Sequence, residues 1–264
     1  MTSADDDVAS QMPWRALGST GLEVSALGLG LVKLGRTGGL KHPLPFELPS
    51  DREARALLDA ARELGINLLD TAPAYGTSES RLGALLRPGE RDRWIISTKA
   101  GEERAAGESR YAYDPQTLRH SVERSLERLG ADYVDITLVH SSGADTEILE
   151  RDDPIAALAD CRARGLTRAV GFSGKTVTGA LLALRQGADV LMLSLNDDEP
   201  NEADVLRAAA AAGAGVLIKK PLASGYAEPA RLTDLAAREG VSSVVVGTLS
   251  RAHLRANARL VAAL

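Results

Sequence analysis

The stretch Leu68-Leu69-Asp70-Thr71-Ala72-Pro73-Ala74-Tyr75-Gly76 runs from a short apolar segment into a carboxylate, Asp70, and reaches a phenol, Tyr75, five residues later. Its start has the signature of a buried strand, apolar on both faces until a polar residue ends it. The same punctuation recurs. Lys99 closes Trp94-Ile95-Ile96-Ser97-Thr98, and His140 closes Val134-Asp135-Ile136-Thr137-Leu138-Val139. Strand candidates read in this way cover 27–30, 67–70, 94–99, 134–140, 169–173, 190–195, 215–219 and 241–247. Each is followed by a segment carrying a 3.6-residue apolar stripe. Continuous apolar strands alternating with helices imply a parallel sheet covered by helices. Eight such units close into a (β/α)8 TIM barrel, an α/β fold.

Local signals support the helices. Ser50-Asp51-Arg52-Glu53 is a capping box, in which the Ser and Glu side chains each satisfy an orphan amide. Behind it Ala54, Leu57, Leu58, Ala61 and Leu64 make one apolar face, and Gly65 suits the C-cap. Asp114-Pro115 opens another helix, with the stripe Leu118, Val122, Leu126 and Leu129, and Gly130 ends it. Ahead of the first barrel strand, residues 14–24 read as a β-hairpin turning at Ser19-Thr20-Gly21, placed to plug the N-terminal end of a barrel. The Gly- and Pro-rich segment 35–50 is too long for a tight connection and belongs at the C-terminal mouth, where barrel enzymes keep their active-site loops. No linker divides the chain, so residues 1–264 are expected to form a single domain, with 1–12 disordered.

Composition narrows the function. A chain of 264 residues matches the roughly 250 that such a barrel uses. The net charge of -5 excludes a general affinity for nucleic acid, which needs a basic face. Cys161 is the sole cysteine and lies in a helical pattern, where it reads as a small buried hydrophobe. No internal disulfide is possible, which fits a reducing compartment. Residues 1–11 lack the apolar core of a signal peptide. No apolar run approaches the ~20 residues needed to cross a bilayer. A cytoplasmic protein without membrane partners is expected, and no metal site is expected.

In a barrel, residues that end neighbouring strands meet at one rim. Asp70, Lys99 and His140 therefore converge, with Tyr75 on the loop after the second strand. Singly, each has an ordinary structural reading: a cap, a surface lysine, a satisfied histidine, a loop aromatic. Together they form a proton-handling set. A tyrosine at its usual pKa of about 10 is a poor donor near neutrality. A neighbouring ammonium stabilises the phenolate, and a carboxylate holds the ammonium in place. A histidine beside them can orient a carbonyl oxygen.

On these residues the chain resembles the aldo-keto reductase superfamily. The resemblance is carried by Arg15-Ala16-Leu17-Gly18-Ser19-Thr20-Gly21-Leu22-Glu23-Val24-Ser25 and by Asp70-Thr71-Ala72-Pro73-Ala74-Tyr75-Gly76-Thr77-Ser78-Glu79. Ser97-Thr98-Lys99, Leu138-Val139-His140, Val170-Gly171-Phe172-Ser173 and the segment from Gly247-Thr248 to Asn257 continue it in order. It implies a tetrad of Asp70, Tyr75, Lys99 and His140 that reduces an aldehyde or ketone, with Tyr75 as general acid. It also implies NADPH, with NADH possible, lying across the barrel mouth without a Rossmann domain. Gly28-Leu29-Gly30 agrees, because Lys33 stands where the dinucleotide fingerprint needs glycine.

By the same resemblance Ser173 lies under the nicotinamide carboxamide. Gly247, Thr248, Ser250, Arg251, His253, Leu254 and Asn257 hold the adenosine end. Ser250 reads either as a plain helix cap or as the opening of an anion site. Lys219, Lys220, Pro221 and Leu222 stand where many relatives place an aromatic residue against the nicotinamide. The two lysines either meet the cofactor pyrophosphate or stand in solvent. Other departures are Gly174-Lys175 in place of an asparagine after Ser173, and His253 and Ala256 in place of arginine and glutamate. The sequence ends at Leu264 without the long loop that many relatives fold over the substrate. Segments 35–50 and 101–114 are therefore expected to finish the site, with Leu44, Phe46, Tyr111 and Tyr113 as wall candidates. The expected partner is a small-molecule carbonyl substrate, and the expected assembly a monomer or small homo-oligomer. The alternative is a nucleotide-binding redox sensor or partner protein with little turnover, and a barrel isomerase or lyase is a further rival.

Overall fold

A computed structural model of the protein describes residues 12–40, 45–105, 107–195, 202–223 and 225–264. The chain opens with the antiparallel hairpin β1 (Trp14–Ala16) and β2 (Glu23–Ser25). The barrel strands are β3 (Leu27–Gly30), β4 (Leu68–Asp70), β5 (Ile95–Ala100), β8 (Val134–His140), β9 (Thr167–Ser173), β10 (Val190–Leu193), β11 (Gly215–Lys219) and β12 (Ser243–Val246). Each pairs in parallel with the next, and β12 closes on β3. This is the expected (β/α)8 TIM barrel with its N-terminal β-hairpin.

Helices cover the outside: α1 (Val32–Gly35), α2 (Asp51–Glu63), α3 (Ser78–Leu85), α4 (Pro115–Leu129), α5 (Asp145–Asp152), α6 (Pro154–Ala163), α7 (Val177–Arg185), α8 (Glu202–Ala211), α9 (Arg231–Ala237) and α10 (Arg251–Ala262). Helix α2 starts on the capping box, with Ser50 accepting from the Glu53 amide and Glu53 accepting from the Ser50 amide. Helix α4 starts on Asp114, which accepts from Thr117 N at 3.0 Å, and stops where Gly130 turns left-handed at φ 61°.

The core has two parts. Between strands and helices lies an apolar shell that includes Leu57, Leu58, Val122, Leu126 and the buried Cys161. Inside the barrel, Leu68, Ile136, Leu138, Met192 and Leu217 pack against Leu17, Leu22 and Val24 of the β1–β2 hairpin. The hairpin thus fills the N-terminal end. Gly18 makes the docking possible: its φ is +55°, and a Cβ there would stand 2.3 Å from Gly213 O. The adjacent Ser19 amide donates to that same carbonyl at 2.7 Å.

Three local expectations are revised. Segment 101–114, expected only to help finish the site, has regular structure of its own: a second antiparallel hairpin, β6 (Glu102–Ala105) and β7 (Glu108–Tyr111). The tenth strand stops at Leu193, two residues short of the run read from sequence. Of the stretch 1–12 expected to be disordered, Met12 is buried in the core, and 1–11 lie outside the described residues, as does Leu44. No helix among the described residues is long and apolar enough to cross a membrane.

Candidate active site

The parallel register puts the strand ends at one rim. Asp70 pairs with Ser97 across β4 and β5, Lys99 with Leu138 across β5 and β8, and His140 with Ser173 across β8 and β9. At the centre Lys99 Nζ lies 2.8 Å from both carboxylate oxygens of Asp70 and donates to Thr71 O at 2.9 Å. Ser97 Oγ adds a hydrogen bond to Asp70 Oδ1 at 3.1 Å. Both members of the ion pair are buried. Tyr75 follows on a turn of 3-10 helix, 73–75, that presents its ring to this pair. Lys99 Nζ stands 4.7 Å from the ring centroid. The His140 ring meets Tyr75 edge-on, with centroids 6.2 Å apart and planes at 85°. The four residues singled out from the sequence are therefore brought together.

Their electrostatics differ in one respect from the sequence expectation. Burial pushes the Tyr75 phenol above its ordinary value, and although Lys99 pulls it down, Asp70 opposes that pull. The net direction is up, so Tyr75 holds its proton near neutrality. Burial works against the Lys99 ammonium, but Asp70 and Tyr75 outweigh it and its pKa rises. His140 is held below the usual histidine range by burial, despite the pull of Glu102 in the other direction.

The cofactor candidates are more dispersed along the same rim. Ser173 is buried at the end of β9, and its Oγ accepts from Lys219 Nζ at 2.9 Å. Lys219 also donates to Gly174 O at 2.8 Å. Burial first, then Lys99 and Lys220, brings the Lys219 ammonium down to about 7. Lys220 adopts φ 53° at the turn into Pro221, and Leu222 packs against the core. After β12, Thr248 Oγ1 accepts from Ser250 N at 3.1 Å, and Ser250 Oγ caps α10 by accepting from His253 N at 3.2 Å. Thr248, Leu254 and Asn257 are buried, whereas Arg251 and His253 are exposed. A Cβ built on Gly247 would meet only Gly30 O, at 3.6 Å, which leaves the rim open there. Among the described residues no group of His, Cys, Asp and Glu could hold a metal ion.

One residue of the β6–β7 hairpin, Glu102, escaped the sequence reading of the site. Glu102 Oε2 lies 2.8 Å from His140 Nδ1. The contact is an ion-pair approach rather than a well-aligned hydrogen bond, and that buried nitrogen has no hydrogen-bond partner among the described residues. Tyr113, a wall candidate, is instead a brace: its hydroxyl donates to His140 O at 3.0 Å and accepts from Ser142 N at 2.8 Å. Tyr111 stacks on it, at 6.4 Å and 25°, and remains exposed. Phe46 lies under Lys33, 5.2 Å from the ammonium.

Comparison with known proteins places this geometry. The model of the aldo/keto reductase family matches residues 26–240. The chain is 32% identical over 246 residues to D-threo-aldose 1-dehydrogenase of a Pseudomonas species, covering 82% of this chain and 72% of that protein. It is 34% identical over 223 residues to L-galactose dehydrogenase of Arabidopsis thaliana, covering 80% and 66%. A solved structure from Pseudomonas aeruginosa, described as an aldo-keto reductase, superposes with a TM-score of 0.88 at 46% identity, covering 100% of this chain and 99% of that one.

Proposed function

The chain belongs to the aldo/keto reductase family, as an NAD(P)H-dependent oxidoreductase, and on that premise we propose that it reduces an aldehyde or ketone to an alcohol with NADPH and with Tyr75 as the proton donor. The observation that carries this reading is the buried Asp70–Lys99 pair at 2.8 Å, set against a tyrosine ring 4.7 Å from the ammonium.

The rim fits a nicotinamide dinucleotide. Lys219 Nζ is held by Ser173 Oγ and Gly174 O, and the N-terminus of α10, which Ser250 caps, suits an anion. In this reading Ser173 holds the carboxamide, and Lys219, Lys220, Pro221 and Leu222 flank the pyrophosphate. Gly247, Thr248, Ser250, Arg251, His253 and Asn257 take the adenosine end, with the 2′-phosphate at the α10 amides. The bound cofactor supplies a hydride to the carbonyl carbon.

The remaining steps belong to the protein. Tyr75, kept protonated by its buried position, delivers its phenolic proton to the substrate oxygen as negative charge develops there. Lys99 stabilises the phenolate that results, and Asp70 keeps Lys99 charged and fixed. His140 orients the substrate oxygen. Tyr111, bonded to Glu102 beside His140, stands at the edge of this site.

The test is Tyr75→Phe, assayed on a panel of aldehydes and ketones with NADPH and NADH, beside a fluorescence titration of each nucleotide. Loss of turnover by roughly 100- to 10,000-fold with unchanged nucleotide affinity is the expected outcome. Undiminished turnover would remove Tyr75 from the role of acid. The second reading, a nucleotide-binding redox sensor, is favoured by one observation, Lys219 Nζ at 2.9 Å from Ser173 Oγ. Saturable nucleotide binding with no carbonyl reduced by the unaltered protein would select it.

A further inference from the structure

Glu102 has a placement that folding alone does not require. It begins β6, is buried, and turns both carboxylate oxygens to account. Oε1 accepts from Ser109 Oγ at 2.6 Å and from Tyr111 OH at 3.2 Å, both on the paired strand β7. Oε2 is left for His140 Nδ1 at 2.8 Å. These contacts and the His140 charge hold the Glu102 carboxyl down at about 2, against its burial. It is therefore ionised at any working pH and acts only as an acceptor.

A neutral imidazole carries one proton, and the nitrogen facing an acceptor keeps it. We propose that Glu102 is a positioning residue: its carboxylate fixes the His140 proton on Nδ1, so that neutral His140 offers Nε2 as a hydrogen-bond acceptor to a substrate hydroxyl, and becomes a donor to a carbonyl oxygen only when doubly protonated. The statement about substrates rests on the oxidoreductase reading, and the statement about the proton does not.

The surroundings of the ring set which form prevails. Glu102 favours the imidazolium, Lys99 and Lys219 oppose it, and burial opposes it most. Tyr75 meets the ring edge-on from the turn after β4, and Tyr111 reaches Glu102 from β7. The neutral, Nδ1-protonated ring is thus the resting state near neutrality. An alcohol binds to that state as it is, donating its O–H to Nε2. A carbonyl compound binds best with uptake of one proton by the ring, since its oxygen has no hydrogen to offer. Rates in the two directions stay tied through the overall equilibrium; what Glu102 divides is the affinity for the two partners.

The experiment is nitrogen-15 spectroscopy of the imidazole rings in the full chain, with His140 assigned by its disappearance in His140→Asn. The expected spectrum shows a proton-bearing Nδ1 and a bare Nε2 on neutral His140. In Glu102→Gln the amide can donate to Nδ1, and the expected result is transfer of the proton to Nε2. A wild-type ring protonated at Nε2 would overturn the proposal, and so would an identical tautomer in Glu102→Gln. The wild-type spectrum decides alone should that variant not fold. For the substrate, the apparent KM for a carbonyl should rise with pH through the His140 titration, and this dependence should vanish in Glu102→Gln; a pH profile shared by both proteins would overturn the link. Absence of any turnover would instead defeat the oxidoreductase reading and leave the spectrum standing.

Discussion

Lys219 illustrates how a single side chain ties stability to pH. A lysine ammonium ordinarily titrates near 10.4, whereas burial and two neighbouring lysines bring this one down to about 7. Below about pH 7 both the folded and unfolded chains carry the charge, so the folded state bears the whole cost of holding it. Between that point and about pH 10.4 the unfolded chain binds more protons, and stability rises with pH. Lys219→Met removes the cost at every pH. Its advantage over the unaltered protein should therefore be greatest near pH 6 and smaller near pH 9, by about 1–2 kcal/mol once partial solvent contact is allowed for. Urea unfolding at the two pH values measures it, and a gap that does not change with pH would contradict the argument. Nucleotide affinity should fall over the same interval if the ammonium meets the pyrophosphate, a trend that Lys219→Met should lack. At this scale the sequence was informative about Asp70, Tyr75, Lys99 and His140, because each ends a strand or follows one, and register then converges them. It was silent on Glu102, whose contact with His140 depends on the fold of a hairpin 38 residues earlier in the chain.

Among the elements, legibility followed the presence of a pattern. Helices α2 and α4 announced themselves through caps and stripes. Ser50→Ala, which removes an acceptor for the Glu53 amide, should cost about 1 kcal/mol in thermal or denaturant unfolding without touching the rim. The hairpin β6–β7 did not announce itself. Glu102-Glu103-Arg104 and Glu108-Ser109-Arg110 carry charge at nearly every position, so no apolar alternation marks a strand. What holds this hairpin is polar: Ser109 and Tyr111 on Glu102, and Arg124 of α4 on Glu103 at 2.8 Å. Gly174 explains a departure that the sequence could only record. A Cβ at this position would lie 2.6 Å from the Phe172 ring and 3.0 Å from Asp145 Oδ2. Asp145 in turn accepts from the Lys175 and Thr176 amides at 2.7 Å, which fixes the turn after β9. An asparagine side chain has no room beside that packing. Gly174→Asn should lower stability by about 1–3 kcal/mol, read as a fall in the unfolding midpoint, and an unaltered midpoint would show that Phe172 moves aside freely.

The whole molecule separates stability from chemistry by the two ends of one barrel. At the N-terminal end the β1–β2 hairpin drives Leu17, Leu22 and Val24 into the interior, against Leu68, Ile136 and Leu217. At the C-terminal end the interior gives way to Asp70, Lys99 and His140 on β4, β5 and β8, and two of these strands, β4 and β8, also hold partners of the plug. Leu17 is fully buried, and a Cβ on Gly215 would come within 2.5 Å of its Cδ1, so its side chain fills space that nothing else occupies. Leu17→Ala should therefore open a cavity and cost about 2–5 kcal/mol. For a chain of this size that corresponds to a fall in Tm of roughly 5–15 °C. The rim is built from strand ends and from β6–β7, none of which Leu17 reaches, so turnover measured well below the transition should stay as it was. Calorimetry and a steady-state assay on the same preparation separate the two effects. A variant that keeps its Tm but loses turnover would mean that the plug reaches the rim through the barrel strands. The division of labour between the ends would then be replaced by coupling along β4, whose Leu68 packs on the plug and whose Asp70 holds Lys99.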